Sequence, residues 1–344
     1  MIGTGAESQR PERTKTSFPE RSETSMTVRI PNQEKSLWAR FPVVFFTAFI
    51  CCVLWGSASP AIKIAYQLFR IGPEDTASRI MLAGARFMIA GVMTVLSGSA
   101  LARRWLIPGK ASWKNVLALS LVQTVGQYYF FFMALANTSG VRGSIINASG
   151  NFIAILFAAF LFRFEKMTLK KMAGCVIGFA GIIVIMGGWK ALVSGGAMTL
   201  AGEGAMLAAD LFYGASGCLI KIYSRDENPV TLSGYQFLLG GVILFMIGVL
   251  TGGRLHFYTA SCGWNLLYLG LISAGAYTLW GVLLKHNPVS RVSILGFMNP
   301  LMGVLLSALF LGEGSEAFSM TGLIAVLLVS AGIIIVNTRP RRAE

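Results

Sequence analysis

Between Phe41 and Asn337 the chain is a succession of apolar runs of roughly 18–25 residues, the length an α-helix needs to cross a hydrocarbon core of about 30 Å. The runs fall at approximately 42–66, 79–100, 115–136, 143–162, 172–189, 203–222, 231–251, 264–284, 292–311 and 320–337. They predict ten transmembrane helices. Charged residues make up 13% of the chain, against about 25% in a soluble domain, and 54% is hydrophobic. The expected fold is an all-α integral membrane protein with lipid around it and a well-packed interior.

The chain carries 29 Lys and Arg but 15 Asp and Glu. Such an excess suits a nucleic-acid binder only if it forms one patch, and here it is scattered through short loops. With the N-terminus inside, 22 basic residues fall on the cytoplasmic side and 5 (Arg70, Arg79, Arg142, Lys190, Arg254) outside. The positive-inside rule then puts both termini in the cytoplasm of a cell that carries the protein in its plasma or inner membrane. Residues 1–40, rich in Ser, Thr, Arg and Glu, read as a disordered cytoplasmic tail. They lack the layout of a signal peptide, and Met26 offers an alternative start.

The apolar pattern is stated twice. Residues 54–66 (LWGSASPAIKIAY) return as 212–224 (FYGASGCLIKIYS), so that Gly56, Ile62, Lys63 and Ile64 match Gly214, Ile220, Lys221 and Ile222. LAGARF (82–87) returns as LSGYQF (232–237), and Leu161, Phe162, Glu165, Met172 and Gly174 return as Leu309, Phe310, Glu313, Met320 and Gly322. The expected organisation is a first five-helix repeat over 41–189 and a second over 202–338. Because five is odd, the second copy starts on the opposite side. An inverted pair of this kind can expose one midplane site alternately to either face, the design of many secondary transporters.

The ordered set of Leu54-Trp55-Gly56-Ser57 with Pro60-Ala61-Ile62-Lys63, Arg86-Phe87, and Leu311-Gly312-Glu313 resembles the drug/metabolite transporter superfamily, EamA type. The resemblance covers residues 42–338. It implies a ten-helix, two-repeat fold that moves a small metabolite, often outward and commonly coupled to an ion gradient. Two positions depart from the family pattern: Phe162-Arg163-Phe164-Glu165 stands in place of Leu-Gly-Glu, and Asn151 in place of a proline, whereas Asn299-Pro300 is kept.

Candidate site residues are polar or aromatic groups inside these spans. Asp210 is the one acidic residue well inside a span, where a carboxylate costs on the order of 3 kcal/mol, so it is a candidate for a substrate ammonium or a coupling proton. The alternative is a carboxylate stabilised near a helix N-terminus. Arg86 offers a planar fork to a carboxylate or phosphate, or else bonds helix-end carbonyls. Lys63 sits on the disfavoured outer side, while Lys221 can snorkel to the interface. Gln123 and Gln127 share one helical face, and Ser144, Asn147 and Asn151 another; both sets suit a wet central cavity or interhelical bonding. Trp55, Tyr128, Phe131, Tyr213, Tyr277 and Trp280 are candidate cavity walls. Pro60 and Asn299-Pro300 are candidate helix breaks that free carbonyls. Gly174, Gly178 and Gly181 suit close helix contact.

Five cysteines without a CxxC spacing and two histidines support neither a disulfide framework nor a metal site, so neither metal nor cofactor is expected. There is no P-loop, zinc-protease or nucleophile-elbow motif, and an enzyme is not expected. The expected function is secondary transport of a small polar or amphipathic metabolite, an amino acid or related compound. It would run outward by alternating access, with a proton as the candidate coupling ion and the lipid bilayer and substrate as partners. A passive channel or facilitator is the alternative.

Overall fold

The computed structural model describes residues 37–163, 166–186, 199–287, 292 and 295–338, and every regular element among them is helical. The helices are α1 (Phe41–Leu68), α2 (Thr76–Ala102), α3 (Lys110–Asn137), α4 (Gly140–Leu161), α5 (Leu169–Ile185), α6 (Leu200–Tyr223), α7 (Pro229–Leu250), α8 (Ala260–His286), α9 (Met298–Leu311) and α10 (Met320–Asn337). Seven of them, α1–α4, α6, α7 and α10, are long and apolar enough to cross a membrane. Of the others, α5 has 17 residues, α8 has 27 and α9 has 14. Residues 1–36 of the expected tail, Glu165, Lys190, Arg291 and the C-terminal arginines lie outside the described residues.

Short polar side chains start these helices as capping chemistry requires. Asp75, Ser139, Thr168, Asn228 and Ser319 each accept a backbone N–H of the first turn of α2, α4, α5, α7 and α10. Pro229 occupies the first turn of α7, where its missing N–H costs nothing. Inside α1 the missing N–H of Pro60 ends the first helical piece at Gly56, and a turn at Ser57 joins the two pieces. The Ser57 hydroxyl bonds the carbonyl of Leu54 at 2.8 Å there. In α4 the helix breaks at Ala148 although no proline is present; Asn151 donates to the Ala148 carbonyl from both its backbone N (3.2 Å) and its side chain (3.3 Å). Asn151 thus holds the bend where a proline was expected. Residues Ser120–Gln127 of α3 form a widened π-helical stretch, a local geometry often found at functional sites.

Matching helices of the two repeats pack on each other. Along α2 and α7 the contacts run in opposite directions: a Cβ placed on Gly84 would meet Phe245 and Gly241, on Gly91 Leu238 and Gly234, and on Gly98 Val230. Glycines at these heptad positions let the two backbones touch. Helices α5 and α10 do the same, with Gly174 against Gly332 and Val336, and Gly181 against Ala325 and Val329. Two further sets of contacts come as exchanged pairs, α1 on α9 with α6 on α4, and α2 on α8 with α7 on α3. In these pairs, helices at matching positions of the two matched segments take matching partners.

The α2–α7 seam leaves no room for a side chain, since a Cβ at Gly84 would sit 2.2 Å from the Phe245 backbone nitrogen. Gly84→Val is expected to lower the unfolding temperature of the detergent-purified protein, because overpacking typically costs about 1–3 kcal/mol. Gly72→Val, where nothing lies within 4 Å, is the control and is expected to leave it unchanged.

Candidate functional site

Where α2 packs on α7, Phe87 and Phe237, which match in the sequence repeat, meet with ring centroids 5.4 Å apart. The residue before each of them reaches into the opposite repeat. Arg86 donates from Nε to the Leu269 carbonyl at 3.2 Å and from Nη2 to Ser273 Oγ at 3.1 Å, both on α8. Gln236, its counterpart, donates to Oε1 of Gln123 on α3. Gln123 is the counterpart of Ser273, so one polar joint occurs twice with different chemistry. Arg86 is 2% exposed, and its guanidinium lies 4.9, 5.5 and 5.9 Å from the rings of Phe87, Tyr128 and Phe132, within cation–π range. Its Nη1 has no hydrogen-bond partner.

The buried carboxylate stands on α6. Asp210 is 1% exposed, accepts one hydrogen bond from Ser149 Oγ at 2.6 Å, and leaves Oδ1 unpartnered. It can lie this close to α4 because position 150 is glycine: a Cβ there would fall 3.2 Å from Asp210 Oδ1 and 2.7 Å from the Tyr213 ring. Three phenols, Tyr213, Tyr128 and Tyr277, connect the surroundings of Asp210 with those of Arg86. Tyr213 is an electrostatic neighbour of Asp210 and Tyr128, and Tyr277 of Tyr128, Tyr213 and Arg86. Gln123 donates to the Tyr277 hydroxyl at 3.4 Å. Trp55 closes this aromatic wall, with ring centroids 5.6 Å from Tyr277 and 5.1 Å from Trp280.

Of the residues expected from sequence, Asp210, Arg86, Trp55, Tyr213, Tyr277 and Trp280 thus converge. Gln127 is buried on α3 beside Tyr128 with its Oε1 unpartnered. Asn147 and Asn299 are half-buried, at the end of the first piece of α4 and in the first turn of α9. Asn151 is spent on its own helix bend. Ser149, Ser273 and Gln236 were missed. Extending the repeat alignment by the offset that pairs Arg86 with Gln236 would have brought Ser273 opposite Gln123. Ser149 had no such signal, because the break at Ala148 resets the helical phase that was used to group Ser144, Asn147 and Asn151. Among the described residues no three His, Cys, Asp or Glu side chains are grouped to hold a metal ion. All five cysteines are buried.

Seven helices long and apolar enough to cross a membrane, with charged side chains buried among them, define a multi-pass membrane protein, and its relatives place it in the transporter class. The chain belongs to the EamA-like transporter family, whose model matches it twice, over residues 43–187 and 200–338. The family is one of transporters, not enzymes. A probable amino-acid metabolite efflux pump of Salmonella typhimurium strain LT2 is 25% identical over 304 residues, covering 84% of this chain and 93% of the relative. A protein of the same description from Escherichia coli strain K12 is 24% identical over 81% of this chain and 91% of its own length. An uncharacterized transporter of Archaeoglobus fulgidus is 28% identical over 82% and 94%. A solved crystal structure shares the fold at a TM-score of 0.60 and 19% identity, over 85% of this chain and 97% of that one.

Proposed function

We propose that this chain is a secondary transporter that exports a small zwitterionic or amphipathic metabolite, an amino acid or a relative of one, across the cell membrane. Ten spans in two inverted five-helix halves would work by alternating access, with both termini in the cytoplasm. The observation that carries this reading is the pair of fully buried, mutually unpaired charges: Arg86 in its aromatic cage and Asp210 on Ser149, with three tyrosines near them. An isolated charge in a low-dielectric interior is costly, and a zwitterion aligned along the tyrosines would satisfy both ends at once. Antiparallel packing of the repeat-matched helices α2 and α7 supports the inversion, and the efflux-pump relatives support outward transport. A proton taken up at Asp210 when substrate leaves would couple the cycle to the proton gradient.

The test is a comparison of metabolites released by overexpressing and deletion cells, followed by flux measurements on the purified protein in sealed vesicles. Substrate accumulation driven by an imposed pH gradient is expected. Flux that only ever equalises the two sides would replace this reading by a passive facilitator. Ser149→Ala, which removes the hydrogen-bond donor to Asp210, is expected to reduce pH-driven flux several-fold at unchanged protein level.

A further inference from the structure

The end of the bundle opposite the two termini is tied across the repeats by charge. The carboxylate of Glu313, just beyond α9, accepts the backbone N–H groups of Gly140 (2.9 Å) and Val141 (2.8 Å) at the start of α4. It satisfies donors that a helix start leaves open and places a negative charge at the positive end of the dipole. Lys63 of α1 stands 3.9 Å from the same carboxylate. One turn away, Arg142 of α4 bridges Glu316 at 3.2 Å and Glu203 of α6 at 3.3 Å. Glu203 is held in turn by Thr138 and Thr199. These contacts join α1 and α4 of the first repeat to α6 and the α9–α10 turn of the second.

Beneath the ion pairs runs a seam of small hydroxyls between α1, α4 and α9. Ser144 Oγ donates to Ser59 Oγ at 3.4 Å, and Ser307 is fully buried with its Oγ unpartnered. Ser307 lies directly under the helix start, since a Cβ on Gly140 would fall 2.7 Å from Ser307 Oγ and 3.1 Å from Glu313 Oε2. A polar seam through an otherwise apolar bundle is costly unless it is wetted at some stage of the cycle.

We infer that this seam is the outer passage of the transporter and that the Glu313–α4 contact with the Lys63 and Arg142 pairs is the latch that shuts it. The energetics suit a latch. Side-chain exposures of 21% for Lys63, 18% for Glu313, 34% for Arg142 and 27% for Glu316 leave the Lys63–Glu313 and Arg142–Glu316 pairs in contact with water, while Glu203 is buried. Water-exposed pairs of that kind contribute little apiece, enough in concert to hold one state and little enough to release it. The glycine-packed α2–α7 seam offers no comparable exchange of partners. The inference rests on the alternating-access reading, although its test needs no substrate.

A Ser307→Cys reporter in the full chain, in right-side-out vesicles, is treated with a membrane-impermeant maleimide, and the labelling of the parent chain is subtracted. Labelling is expected to be slow with the latch intact and at least tenfold faster in Glu313→Gln, which loses one of the two side-chain oxygens that accept the Gly140 and Val141 N–H groups, and in Arg142→Gln. Arg142→Lys, which keeps the charge, is expected to return it towards the slow rate. Unchanged labelling in both glutamine variants overturns the latch. So does an equal acceleration at a Thr94→Cys reporter, buried near the other end of α2, because that reports general loosening. A chain that labels as expected but moves no metabolite keeps the latch and discards the proposed function.

Discussion

Asp210→Asn is expected to abolish transport driven by a pH gradient, at least a hundredfold in sealed vesicles, while substrate-for-substrate exchange survives. Asparagine has the same shape and keeps an oxygen to accept the Ser149 hydroxyl, so the contact between α4 and α6 is retained. What it loses is the charge, and with it the capacity to alternate between a protonated and an ionised form. Removing a buried carboxylate relieves a cost on the order of 3 kcal/mol, so the variant should be no less stable than the parent. That separates this result from misfolding. The check is paired: net flux under an imposed pH gradient and counterflow at equal pH, in the same vesicles. If Asp210→Asn still accumulates substrate against a gradient in response to pH, the coupling proton binds elsewhere.

Arg86→Gln is expected to lower transport of substrates bearing a carboxylate by about 10- to 100-fold, because a hydrogen bond to a charged group contributes about 1.5–3 kcal/mol. The sequence repeat makes this a clean experiment. On α7 Gln236 occupies the matching position and makes the matching joint with Gln123, so glutamine is already tolerated in this geometry. The joint from α2 to Ser273 and the Leu269 carbonyl should survive in part, and the melting temperature should fall little. Arg86→Lys keeps a positive charge but presents a point rather than a planar fork, so partial recovery is expected. Competition by a substrate and by its carboxamide distinguishes the roles. The parent should prefer the acid and Arg86→Gln should lose that preference. Equal loss for both would make Arg86 a structural arginine.

Gly109 and Glu227 supply a smaller, pH-dependent contact on the terminal side of the bundle. The Glu227 carboxylate accepts the Gly109 backbone N–H at 2.9 Å and ties the α2–α3 loop to the start of α7. Partial burial pushes this carboxyl up, the N–H donors of Gly109 and Asn228 pull it down, and the result lies below the ordinary glutamate value. A depressed carboxyl contributes stability above its unfolded value and loses it as pH falls through the folded one. The protection factor of the Gly109 amide, its exchange rate relative to that of an unstructured amide at the same pH, should therefore fall only in acid, and Glu227→Gln should remove the dependence.

Much of the scaffold was legible before any coordinates. Length and hydropathy alone predicted where α1 to α4, α6, α7 and α10 would lie, because a helix in lipid must be long and apolar whatever its neighbours are. The repeat in sequence foretold which helices would share an environment, and Asp210 and Arg86 stood out because charge inside a span is expensive. Glu313 was visible as a repeated acid, but nothing local indicated that its carboxylate would cap α4, some 170 positions earlier. The Asn151 side chain read as a cavity amide and instead holds a bend, since hydrogen bonding to its own turn leaves no periodic trace.

By itself, then, the sequence determined the apolar spans, the duplication and the residues whose burial would be costly, all properties set by the solvent around a segment. Tertiary structure alone decided the partners. The antiparallel crossing of α2 on α7 brings Phe87 to Phe237, sends Arg86 to α8 and Gln236 to α3, and leaves Asp210 with Ser149. Contacts of that kind depend on how closely two glycine-lined backbones approach and at what register, and neither is encoded in the period of a single helix.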